Sequence, residues 1–143
     1  MITTLRWLLV APMAVVGWFI AFAGALALHP LIYEFCPVQY QLSGLCSHPW
    51  AFIAEDTLVL VGAVVAAVLA VSFATRTAPR FKSQVAAASL MLGVFLAIWA
   101  YLATDALGAL LGSCIGGFLT TTFIVRRHGW RTPSNFRQYE LFI

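Results

Sequence analysis

Nearly every side chain in this sequence that could take part in chemistry falls between positions 29 and 56. The segment holds His29, Tyr33, Glu34, Cys36, Tyr40, Cys46, His48, Glu55 and Asp56. Cys36 and Cys46 suit a structural disulfide, because such bonds persist where the segment faces an oxidising compartment. A bond closing a loop of that length stabilises it by about 2–3 kcal/mol in the chain-entropy treatment. Redox exchange is the competing use, and it calls for an activated pair, commonly Cys-x-x-Cys. The chain has no such pair and no second outer pair. Cys114 stands among glycines in an apolar run, where an inert buried thiol is expected.

Metal ligation is the second chemistry. His29, Glu34, His48, Glu55 and Asp56, with Asp105 from a later turn, offer imidazole and carboxylate donors of the kind that hold cations. None of their spacings is a recognised ligand spacing. Both histidines also precede proline, in His29-Pro30 and His48-Pro49, and such dipeptides punctuate helices. A bis-histidine haem would need histidines near mid-membrane on facing helices, and the sequence has none there. The expectation is a hydrogen-bonded polar cluster on the outer face. No catalytic residue, bound metal or cofactor is expected, lipid contacts apart.

The elements that must carry these residues are set by composition. The chain is 62% hydrophobic and 9% charged, with a mean hydropathy of +0.94, against about 25% charged in soluble domains. The expected class is an all-α polytopic membrane protein, one domain of four transmembrane helices. All eight basic residues fall in three clusters: Arg6; Arg76, Arg80 and Lys82; Arg126, Arg127, Arg131 and Arg137. Four of the five acids, Glu34, Glu55, Asp56 and Asp105, fall in the alternate connections. Basic residues in short loops resist translocation, so both ends are expected in the cytoplasm. Cations divided over three ends are not a nucleic-acid footprint, and they suit anionic lipid headgroups instead. Seven Arg to one Lys in an Ala/Val/Leu/Gly-rich chain suggests GC-rich coding and a bacterial inner (plasma) membrane.

Span by span, the expected ranges are 12–28, 57–75, 85–102 and 106–125, with an outer loop over 29–56 and a cytoplasmic tail over 126–143. Pro12 is placed in the first turn of its helix, where a missing N–H costs little. Arg6 and the apolar run after it also imitate a signal peptide, though the run is longer than such peptides carry. The second helix has room to begin at Pro49, after Ser47. Pro79 breaks the chain between the second and third spans. Trp99 and Tyr101 form an outer aromatic belt, and Thr104 or Asp105 is the expected side-chain cap of the fourth helix. Glu55, Asp56 and Asp105 are read as acids at helix N-termini, where the macrodipole favours them. The tail closes on an apolar group: Phe136, Tyr139, Leu141, Phe142 and Ile143.

Gly108, Gly112 and Gly116 recur every four residues in the fourth span, with Ala109, Ser113 and Gly117 one step round. Small residues so spaced let another backbone approach closely. The face serves either packing within the chain's own bundle or association with a partner. No charged group interrupts 57–75 or 85–103, and charged groups usually mark ion paths. The leading expectation is therefore a non-enzymatic protein that works by contact within the bilayer. It would be an accessory or assembly subunit of a larger membrane complex, or an immunity-type protein. The alternatives are a small homo-oligomeric transporter or channel, and a membrane enzyme or metal-binding protein using the outer cluster.

Overall fold

In hydrocarbon every backbone N–H and C=O must be bonded within its own segment, so long apolar runs with charges only at their ends must become helices. A computed structural model describes residues 2–42 and 45–129 and contains four of them: α1 (Ile2–Glu34), α2 (Pro49–Thr77), α3 (Lys82–Thr104) and α4 (Leu107–His128). Each is long and apolar enough to cross a membrane. The tail group at Phe136–Ile143 and the cations Arg131 and Arg137 lie outside the described residues. Between α1 and α2 sit a 3-10 turn (Val38–Tyr40) and a two-residue antiparallel pairing of Gln41 with Cys46 and Leu42 with Leu45. The bond between Cys36 and Cys46 closes this connection, with the Cα atoms 5.9 Å apart.

Charge divides the molecule into a basic end, with Arg6, Arg76, Arg80, Lys82, Arg126 and Arg127, and a disulfide end. Asp56 and Arg76 are twenty positions apart on α2, a rise of about 30 Å, which matches the thickness of bilayer hydrocarbon.

The helices are laid out around α2. It packs against α1 on one side and α4 on another and also touches α3, while α3 packs chiefly on α4 and α1 rests almost wholly on α2. Both main seams are glycine contacts. A Cβ on Gly17 of α1 would lie 2.8 Å from the carbonyl carbon and oxygen of Leu69. On α4, a Cβ on Gly112 would collide with the Leu60 carbonyl oxygen and stand 2.9 Å from Ala63 Cβ; on Gly116 it would stand 2.5 Å from the Val64 oxygen. Gly108 lies near the Asp56 carbonyl at the same seam. The expected glycine face therefore packs inside the chain, against a helix parallel to its own. One step round, Gly117 meets Leu90 of α3. Such close approach gains dispersion and Cα–H···O contacts where no hydrophobic drive exists between helices.

At the basic end Val71, Ala86 and Ile124 form a small core. The Thr121 hydroxyl donates to the Ala86 carbonyl at 3.5 Å, and that of Ser83 to the Gly129 carbonyl at 2.6 Å, tying the end of α4 to the start of α3.

Four local expectations are corrected. Pro12 is not in a first turn: α1 begins at Ile2, and Pro12 lies inside it, depriving the Leu8 carbonyl of its bond. His29-Pro30 does not end α1, which runs to Glu34, so the disulfide-end connection is 35–48 rather than 29–56. A proline costs one backbone bond, and packing along α2 outweighs that loss. Neither Thr104 nor Asp105 caps α4 by its side chain. The Thr104 hydroxyl bonds back to Ala100, and Asp105 takes a left-handed conformation (φ 54°) that closes α3. Glu55 and Asp56 are not in a first turn either, because α2 begins at Pro49 with His48 as its cap; they lie beyond the reach of the helix-end dipole.

Candidate functional site at the disulfide end

Among the described residues, polar side chains converge where the last turns of α1 meet the first turns of α2. His29 and Tyr33 are four residues apart and so share a face of α1, where their rings meet edge to face at 5.1 Å. Glu55 comes across from α2. The Tyr33 hydroxyl donates to Glu55 Oε1 at 2.5 Å, and His29 Nε2 lies 3.9 Å from the same oxygen, near enough for an ion pair when the imidazole is protonated. A charge-assisted hydrogen bond of this kind is among the stronger ones. It joins α1 to α2 where the glycine seam has ended.

Next to it, the disulfide packs on Ala51, which is 1% exposed, with Ile32 and Tyr33 against it. Gln41 Nε2 donates to the Cys36 carbonyl at 3.0 Å. His48 belongs to a second group. Its Nδ1 accepts from the Trp50 backbone N–H at 3.3 Å, which caps α2, and its ring meets Tyr40 at 4.7 Å. The expected cluster is thus split. His29 and Glu55 come together with Tyr33; His48 stands apart with Tyr40 and Trp50. Glu34, Asp56 and Asp105 are exposed and make no side-chain hydrogen bond or ion pair among the described residues.

Chemically, this arrangement hydrogen-bonds and orients. No group of three or more His, Cys, Asp or Glu side chains among the described residues is placed to hold a metal ion. Nor does a cysteine nucleophile stand beside a base among them: the two cysteines here are bonded, and the free one, Cys114, lines an apolar groove of about 410 Å³ with Leu90, Met91, Val94, Ile115 and Phe118. A second groove of that size, between α1 and α2, is lined by Leu28, Ile32, Ala54, Thr57, Leu58 and Val61. Thr57 donates its hydroxyl back to Ile53, leaving the groove without a free donor.

No family model matches the chain, and no characterised protein or solved structure is detectably similar to it.

Two features escaped the reading of the sequence. The α1–α2 seam is built from Gly17, Ala21 and Ala25 against Gly62, Ala66 and Leu69, with Gly62 and Ala25 in ordinary contact. Its spacing is the same four-residue repeat as on α4, but alanine in two of three places hides it in an Ala-rich chain. The other is Trp18. Trp7, Trp50 and Trp99 stand near helix ends, whereas Trp18 follows Gly17 and so lies about 10 Å inside the level of Arg76. It is 46% exposed and stacks on Phe22, with ring centroids 5.2 Å apart and 7° between planes. Its indole N–H has no acceptor among the described residues.

Proposed function

We propose that this chain is a non-enzymatic subunit of a larger membrane-protein assembly, acting by helix contact within the bilayer. Trp18 carries the reading. An indole normally sits at the membrane–water boundary, where its N–H finds water or a headgroup. Trp18 instead presents that donor at a depth where lipid chains accept nothing, and an unbonded polar group there is costly. A partner helix offering a hydroxyl or an exposed carbonyl would satisfy it. The open layout favours the same reading, since α1 is held almost wholly by α2 and most of its circumference remains outside the bundle. The basic end faces the cytoplasm in this proposal, with both termini there and its cations among anionic headgroups, in a bacterial inner membrane.

Native mass spectrometry of gently solubilised protein tests the proposal. The expected result is a complex with a different membrane protein, lost in Trp18→Ala while that variant stays inserted with its disulfide intact. A closed ring of identical chains would favour a channel or transporter instead. A monomer throughout, in native lipid, would end the proposal.

A further inference from the structure

At the disulfide end, α1 and α2 do not stop where the hydrocarbon does. Gly17 sits against Leu69 and Ala25 against Gly62, so in this antiparallel register Leu31 is level with Asp56 and Cys36 with Ala51. Phe35 and Phe52 each stand four positions past the level of Asp56, about 6 Å beyond the hydrocarbon edge. The fourth helix does not follow them, since Gly108 in its first turn lies near the Asp56 carbonyl. The part that projects is apolar on its outside. Phe35, Val38, Phe52 and Ile53 are 77%, 84%, 59% and 68% exposed.

We infer that this disulfide-closed cap is embedded in the headgroup layer of the bilayer, with those four side chains reaching the upper ends of the lipid chains. Three observations carry the inference. The first is depth. The headgroup layer adds about 5–8 Å on each side of the hydrocarbon, and Phe35 and Phe52 fall inside that interval. The second is continuity with the lipid-facing surface. Phe35 follows Leu31 by one turn of α1, and Phe52 stands two turns from Val59 on α2; Leu31 and Val59 are themselves exposed on the flanks of their helices. The third is chemical. Between Glu34 and Glu55 the chain carries no Asp, Glu, Lys or Arg, and the connection bonds much of its own backbone. The Cys36 N–H donates to the Tyr33 carbonyl, that of Tyr40 to Pro37, and that of Ser47 to Tyr40. A segment bonded in this way loses little on entering a layer poor in water. Tyr40 and Trp50 supply the amphipathic rings that favour such a layer. Glu34, Asp56 and Asp105 are the exposed charges at this end, and no Lys or Arg accompanies them among the described residues. Anionic headgroups therefore exert no pull here, and the apolar side chains drive the insertion. The cap thereby fixes how deep α1 and α2 sit.

Photo-cross-linking of the full chain is the test, because benzophenone attacks nearby C–H bonds and leaves water alone. The probe is introduced as Phe35→p-benzoylphenylalanine or Val38→p-benzoylphenylalanine, with Leu92→p-benzoylphenylalanine as the mid-membrane control. In phosphatidylcholine vesicles, positions 35 and 38 should each gain the mass of one phospholipid, as position 92 does. The same lipid adducts should form in native membranes. Val38→Asp should remove the adduct at position 35 while the Cys36–Cys46 bond stays closed, and adding phosphatidylglycerol should not raise any yield. The inference is overturned if position 92 labels lipid while 35 and 38 do not, which would place the cap in water. It is equally overturned if a protein adduct replaces the lipid adduct in native membranes, or if the lipid adducts require phosphatidylglycerol.

Discussion

A Cβ added to Gly112 has nowhere to go, and one added to Gly93 or Gly24 meets nothing within 4 Å. The chain's glycines therefore separate into seam and bystander positions, and substitution should tell them apart. Gly112→Leu forces α4 off the α2 backbone and should lower stability by at least about 1–3 kcal/mol, the usual cost of overpacking. Gly93→Ala and Gly24→Ala should be neutral or gain about 0.5–1 kcal/mol, as alanine is the better helix former. Thermal unfolding in one detergent measures all three; a loss at Gly93 equal to that at Gly112 would refute the distinction. Asp105 makes a complementary case. Its left-handed backbone suits Gly or Asn, so Asp105→Gly should be tolerated, while Asp105→Val should cost about 1–2 kcal/mol. The glycine repeat was legible because glycine is rare enough to make a pattern. The turn at Asp105 was not, because an Asp beside a Thr reads equally as a helix cap and as a left-handed closure.

The elements were legible in number and order, and misread at their ends. Charge-free runs fix the middle of each helix, whereas the end of a helix depends on what it meets. Pro30 would stop an isolated helix, yet α1 continues through it because Tyr33 still finds Glu55 and Ile32 still packs on the disulfide. That gives an element-scale prediction. Replacing Cys36 and Cys46 with alanine should cost about 2–3 kcal/mol, and Tyr33→Phe about 1 kcal/mol. Both losses should be confined to the disulfide end. Hydrogen exchange should quicken over 30–36 and 46–52 and stay slow around Gly17. Faster exchange along the whole of α1 would mean that the glycine seam does not hold that helix independently. The same dependence on partners explains the divided polar cluster. His29 and His48 both precede proline and look alike in sequence, but one lies inside a helix facing α2 while the other caps one.

At the scale of the molecule, orientation follows from where the cations lie. A reporter fused after Ile143 should be active on the cytoplasmic side, and activity only on the far side would reverse the assignment. What no sequence pattern conveyed is which helices are neighbours. Consecutive helices are the ordinary guess, yet the second main seam joins α2 to α4, two parallel helices with α3 between them in the chain. That seam sets a timetable. Leu60 and Val64 reach the membrane roughly 50 residues before Gly112 and Gly116 do, which at about 5–20 residues per second is some 3–10 s of synthesis. Throughout that interval the carbonyl ridge of α2 lies open to any small-residue helix passing by. A chain stalled after α3 should be captured by other nascent proteins, and one allowed to finish should not.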